Sequence, residues 1–192
     1  PGTVSDPNML PTERNNYLAA VLLHEGRLGL AYVDLSTGEF AATELHGERL
    51  EARLEGELAR LSVAEVLVSE DATARPAQLA PHAARLTHDL APMTKDEREL
   101  LLPHERVARK LEQASSTTWA QGSITELPAW CWQLDTARDA LLRQLRVQSL
   151  TGYGLHEYPL ATCAAGAIVQ YIQQTQRSSA AQINSIRFYT LG

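Results

Sequence analysis

The chain has 192 residues, 44% hydrophobic and 21% charged, which suits one large or two small globular domains and excludes a low-complexity or disordered protein. Its net charge of −6 is uneven: residues 1–134 carry 12 Lys and Arg against 20 Asp and Glu, while residues 135–192 carry 5 against 3. An acidic surface of this kind repels phosphate backbones and argues against a free-standing nucleic-acid-binding module.

Residues 1–15 are polar, hold three prolines, and predict a linker or extended arm. Asn16 to His24 is a short apolar run bounded by polar residues, the pattern of a buried strand. Glu25-Gly26 turns into a second strand, Leu28 to Asp34, and Ser36-Thr37-Gly38 into a third, Glu39 to Leu45, giving an antiparallel meander. From Glu48 to Leu61 the period changes. Leu50, Leu54, Leu58 and Leu61 recur at helical spacing, and the β-branched stretch Val63 to Ser69 follows as a strand. A helix between strands is a crossover, so the expected class is α/β with part of the sheet parallel. Arg85 to Leu90 suggests one more edge strand. Asp96 to Glu112 suggests helix broken at Pro103, and Ser115 to Ser123 a loop, all within a peripheral, mobile region from Ala91 to Pro128. Trp130 to Leu134 is a short strand or lead-in. Asp135 is placed as an N-cap, ahead of a helix with Ala137, Leu141, Leu142 and Leu145 facing the core. Gly152 and Gly154 punctuate a turn. The strongest pattern comes next: Leu160, Cys163, Ala164, Ala167, Ile168, Tyr171 and Ile172 form an unbroken helical stripe from Leu160 to Arg177. Pro159 stands where a first helical position tolerates it, and Ala164 to Ala167 thin the helix for close packing. Ile183 to Leu191 closes the chain as an extended apolar segment.

No apolar run approaches the roughly 20 residues that cross a bilayer, and no basic-then-apolar leader is visible. The start at Pro1 suggests a piece of a longer protein. Cys131 and Cys163 show no CxxC and no His pair at metal-ligand spacing, so neither a disulfide scaffold nor a zinc site is expected, and a reducing cytoplasmic setting fits. Asp34 admits two uses. Ribonuclease H-like nucleases place a metal-binding Asp on such a meander, and Glu39 with Glu70 or Asp71 could supply the further carboxylates that two divalent ions need. Asp before Ser-Thr-Gly is also an ordinary turn former that caps its own backbone, and this use is preferred. Gly152-Tyr-Gly154 before a helix lacks the third glycine and the Lys-Ser/Thr of a phosphate cradle. The six histidines are scattered. Trp119, Trp130 and Trp132 could stack on bases, but without a basic groove they suit packing or partner contact better.

Four segments together resemble the connector domain of the MutS family of DNA mismatch repair proteins. They are Pro1–Val4 with Arg14–Ala20, then Gly29–Phe40 (GLAYVDLSTGEF), then Asp135–Arg138 leading to Ser149–Gly154, and Pro159–Gln176 (PLATCAAGAIVQYIQQTQ). The resemblance covers nearly the whole chain. It implies a ribonuclease H-like mixed sheet, with an antiparallel three-strand meander plus parallel strands, flanked by helices and without nuclease activity. It implies a linker from the mismatch-binding domain at 1–15, a connector domain at 16–192, and a lineage-variable insertion at about 91–128. The implied role is non-catalytic: relaying nucleotide and DNA state between domains and offering a surface to MutL. ATP and Mg²⁺ would belong to the parent, a DNA-dependent ATPase, because the Walker A loop and the mismatch-reading Phe-x-Glu motif are absent here. Mismatched DNA would be met through the parent, which would act in the cytoplasm at the nucleoid, with no membrane involved. The helix opened by Asp135 is the candidate partner contact, with Asp139, Ala140 and Arg143 assigned to its outer side. The alternative is an active, metal-dependent ribonuclease H-like nuclease.

Overall fold

The structure is a computed structural model and describes residues 16–47, 49–70, 123–176 and 180–191. The expected strand at Arg85–Leu90, the helix at Asp96–Glu112, the arm at 1–15 and most of the 91–128 segment lie outside these residues. The meander forms as its apolar runs require: β1 (Tyr17–His24), β2 (Arg27–Asp34) and β3 (Phe40–His46) pair antiparallel in succession. The tight β1–β2 turn takes positive φ at Glu25 and Gly26. α1 (Leu50–Leu61) follows and ends at Ser62 in the left-handed conformation. The crossover through α1 brings β4 (Glu65–Ser69) parallel to β1. Next come β5 (Ser123–Leu127), parallel to β4, and a 3-10 turn at Ala129–Trp132. Two further helices, α2 (Leu134–Leu145) and α3 (Pro159–Thr175), precede the two-residue β6 (Arg187–Phe188), which runs parallel to β3. Among the described residues the sheet has six strands in the order β5-β4-β1-β2-β3-β6. This is the expected α/β arrangement, a mixed sheet with an antiparallel three-strand meander plus parallel strands, flanked by helices.

Helices on both faces explain why the central strands are apolar on both sides. On one face Leu50, Leu54, Leu58 and Leu61 of α1 pack on Ala19, Val21, Leu28, Leu30 and Tyr32. On the other, α2 and α3 pack on Leu18, Ala20, Leu22, Ala31, Val33 and Phe40. α3 lies between the sheet, α2 and the 3-10 turn, so its residues 159–170 and Ile172 are all buried. The expected single stripe is therefore only part of its contact surface. Each large aliphatic side chain placed there contributes up to about 1.5–3 kcal/mol.

Backbone contact at two glycines sets how closely α3 can lie. A Cβ on Gly29 of β2 would fall 2.2 Å from the Leu160 carbonyl oxygen, and one on Gly166 of α3 would fall 2.3 Å from Cβ of Ala137 on α2. Opposite Gly29 in the β2–β3 register stands Glu44. Its Oε2 accepts hydrogen bonds from the Leu160 and Ala161 N–H groups at 2.9 and 3.4 Å, and its Oε1 pairs with the Arg27 guanidinium. Helix N-termini leave such N–H groups without intrahelical partners, and α3 has no side-chain cap from its own N-cap, Tyr158. Glu44, 116 residues away in sequence, fills that role. Burial pushes its carboxyl above the ordinary carboxylate range, against the pull of Arg27 and the two N–H groups.

Four sequence expectations are changed or decided. Leu134, not Asp135, opens α2: its apolar side chain is buried at the first helical position, and Gln133 is the N-cap. Asp135 sits within the first turn, where its charge favours the helix dipole. Of the two readings of Trp130 to Leu134, a short strand or a lead-in, the lead-in holds: a 3-10 turn runs into that helix. Ser123–Leu127, in the region expected to be peripheral and mobile and starting at the end of the expected loop, is an edge strand. The extended closing segment contributes only two residues to the sheet.

The close approach predicts opposite outcomes for two glycine-to-alanine changes, measured by urea unfolding. Gly166→Ala should lose about 1–3 kcal/mol by overpacking against Ala137. Gly56→Ala, in α1 with open space around it, should gain about 0.5–1 kcal/mol from helix propensity. Glu44→Ala should cost about 2–3 kcal/mol, since it orphans two helix N–H groups while Arg27 can still reach water. Glu44→Gln, which keeps an acceptor, should cost less.

Candidate functional site

α2 carries the candidate contact residues. It lies over α3, with Leu134, Ala137, Ala140, Leu141 and Leu145 turned inward. Asp139 and Arg143 are exposed on the outer surface, one turn apart. Among the described residues neither is held by a hydrogen bond or ion pair. Ala140 is different: it is 1% exposed and belongs to the core cluster. Its assignment to the outer side is corrected, because α2 packs on both α3 and the elements beside it and so buries a wider arc than one stripe. Arg143 also sits in the last turn, where a cation complements the helix dipole. The surface is therefore a rigid helix presenting opposite charges, anchored from beneath at Ala137 and Gly166.

Asp34 is 1% exposed and committed to its own turn. Its Oδ1 accepts from the Ser36 N–H at 2.8 Å and from the Ser36 hydroxyl at 2.6 Å, while its backbone carbonyl accepts from Gly38 N–H at 2.8 Å. Burial works to raise its carboxyl, but the hydrogen bonds from Ser36 and Thr37 outweigh that and hold it below the usual value. The idea that Asp34 and Glu70 converge fails on register. Asp34 is level with Tyr17 at the start of β1, whereas β4 runs from a position level with Leu18 toward the other end. Glu70 therefore lies on the order of 20 Å away along the strand direction. Glu39, exposed, accepts from the Tyr17 hydroxyl at 3.3 Å and pairs with Arg187 at 3.5 Å. No group of three His, Cys, Asp or Glu side chains suited to a metal gathers among the described residues; Asp71 lies outside them.

The remaining candidates have structural roles. Gly154 takes φ +73° between two 3-10 turns, Thr151–Tyr153 and Leu155–Glu157. The helix N-terminus that these turns precede already holds an anion, the carboxylate of Glu44. Trp132 is 1% exposed and packed in the core, while Trp130 is 48% exposed, the one large hydrophobic so placed among the described residues. Trp119 lies outside the described residues. Burial pushes the Cys131 thiol up to about 11 and the Cys163 thiol up to about 12, so both are inert at neutral pH. No described helix is long and apolar enough to cross a membrane.

A family model described as MutS domain II matches residues 16–187. The chain belongs to the MutS domain II family. It is similar, at 56% identity over its whole length, to the DNA mismatch repair protein MutS of Chloroflexus aurantiacus (strain ATCC 29366 / DSM 635 / J-10-fl), of which it covers 20%. Identity is 53% over the whole chain to the DNA mismatch repair protein MutS of Roseiflexus sp. (strain RS-1), with 18% of that protein covered. It is 33% over 99% of the chain to that of Dehalococcoides mccartyi (strain CBDB1), with 17% covered. The chain thus spans about a fifth of the length of the curated relatives it matches.

In this MutS domain II chain the residues that sequence analysis missed are Glu44 and Gly29. Only the glycine left a local signal, an unpacked position inside an apolar strand. The Asp34 turn has a pH signature. A carboxyl held below its unfolded value of 3.8 stabilises the fold above that pH, and the contribution is lost as pH falls through the folded value. Asp34→Asn should therefore cost about 1 kcal/mol at pH 7, with the gap to the parent chain closing below pH 3.8 in thermal melts. Glu44, shifted the other way, is common to both proteins and cancels in the difference.

Proposed function

We propose that this chain is the connector domain of a MutS-type DNA mismatch repair protein, acting as a non-catalytic relay and docking body. The match to MutS domain II over residues 16–187 carries this proposal. Residues 1–15 would lead in from the mismatch-binding domain, 16–192 form the connector, and about 91–128 the lineage-variable insertion. ATP with Mg²⁺, and the mismatch itself, would be bound elsewhere in the parent. The sequence of this region holds no Walker A loop to bind a nucleotide.

The internal construction supports transmission by rigid-body displacement. α3 is fixed at its N-terminus by Glu44 of β3, in its middle against Ala137 of α2, and further along by the Tyr171 hydroxyl, which donates to Glu65 of β4 at 2.7 Å. Close-packed layers joined in this way shift together rather than deform. A displacement imposed by other domains of the parent would then reorient the whole outer face of α2. On that face Asp139 and Arg143 are free to meet a partner's charges, and the proposed partner is MutL. Charges at the rim of a contact set encounter rate and register.

Titration of the chain against the N-terminal region of the cognate MutL tests this directly. Asp139→Lys combined with Arg143→Glu should weaken binding by about tenfold or more. Unchanged affinity would remove α2 as the docking helix.

A further inference from the structure

After Ile186 the chain lies across the edge of the sheet and touches both faces of the domain. Its sheet contact is short: Arg187 and Phe188 pair with Ala41 and Ala42, and the Tyr189 N–H donates to the Ala42 carbonyl at 3.0 Å. Toward the α2–α3 face, Phe188 stacks on Tyr158, the N-cap of α3, with centroids 3.9 Å apart. Toward the α1 face, the Tyr189 ring meets Tyr32 edge-on at 5.9 Å, and Tyr32 meets Tyr17 in the same manner at 5.7 Å. The Tyr189 hydroxyl donates to Glu57 Oε2 at 3.3 Å, while Arg60 of the same helix holds that carboxylate at 2.8 Å. Arg53 of α1 donates to the carbonyls of Leu191 at 2.9 Å and His46 at 3.2 Å. Arg187 reaches Glu39, the acceptor of the Tyr17 hydroxyl, so the first and last strands share one carboxylate.

These attachments are individually weak and lie at the rim. β6 is two residues long, the Arg187–Glu39 pair is exposed, and such pairs contribute little. No residue of the segment is fully buried. The MutS domain II match ends at Arg187, where the segment's short pairing with β3 begins. We infer that Arg187–Leu191 is a strap, seated by Tyr32, Glu57 and Arg53 on one face and by Tyr158 on the other, which opens as a unit while the sheet stays closed and so acts as a hinge at the border of the domain. Its use in interdomain relay rests on the function proposed above; its independent opening does not. Opening would free the Tyr17–Tyr32 pair and α1 on one face and the α3 N-cap on the other, so one local event would alter both layers.

Native-state amide exchange on the 192-residue chain tests the strap without any partner. The Tyr189 amide should exchange at least about tenfold faster than the amides of the β1–β2 pairing. Its rate should stay flat in low urea, because a local opening exposes little surface, whereas the β1–β2 amides should accelerate. Tyr189→Phe with Arg53→Met should raise exchange of the amide at position 189 by about fivefold or more and leave β1–β2 unchanged. A Tyr189 amide that shares the rate and urea slope of the β1–β2 amides would overturn the inference, as would a double variant that accelerates both regions equally. Loss of MutL binding with intact strap behaviour would fault the docking proposal alone.

Discussion

A buried helix with a polar end needs a partner for that end, and the architecture of this domain follows from how the partner is supplied. α3 is surrounded by apolar side chains, yet its first N–H groups cannot bond within the helix. Glu44 on β3 supplies the acceptor, and Arg27 balances the charge. This fixes α3 over β2 and β3, which in turn requires Gly29 beneath Leu160. With α3 fixed, α2 must lie against its thin segment at Gly166. The outward face of α2, where Asp139 and Arg143 stand, is thus positioned by a carboxylate two layers below.

The same commitment explains why the inward-facing ionisable groups offer little chemistry. Asp34 is tied to its turn and Glu44 to a helix end, while Glu65 accepts from both Thr125 and Tyr171. Each stabilises geometry rather than waiting for substrate. In the role proposed above, contact falls instead to the surface of a chain that spans about a fifth of the length of the curated relatives it matches.

Elements whose residues repeat at one clear period were legible in the sequence. β1 to β3, α1, β4 and α3 all follow from apolar runs or leucine spacing, and the Asp34 turn followed from Asp-Leu-Ser-Thr-Gly. What failed to show was whatever depended on distant partners. Glu44 sits in a Thr-Glu-Leu stretch that reads as a half-polar strand; nothing local tells that residue 160 needs its carboxylate. β5, with the sequence Ser-Ile-Thr-Glu-Leu, is short and half exposed, so β4 rather than its own pattern makes it a strand. Ala140 was misplaced because alanine fits either side of a helix, and only the second neighbour of α2 decides which. Asp135 lost the cap position to Gln133 because burying Leu134 moves the helix start back by two residues. Register likewise separated Asp34 from Glu70, which a one-dimensional reading could not do.

The cross-strand pair Gly29–Glu44 has a consequence for folding fidelity. Strands buried on both faces carry few polar residues to penalise a mispairing, so β2 and β3 could slide past one another at little hydrophobic cost. A slip would put Leu28 or Leu30 under the Leu160 carbonyl, or carry the Glu44 carboxylate away from the waiting helix end. Docking of α3 therefore works as a lock that closes on one alignment of the hairpin. Correct threading of the meander is checked by a helix made more than a hundred residues later.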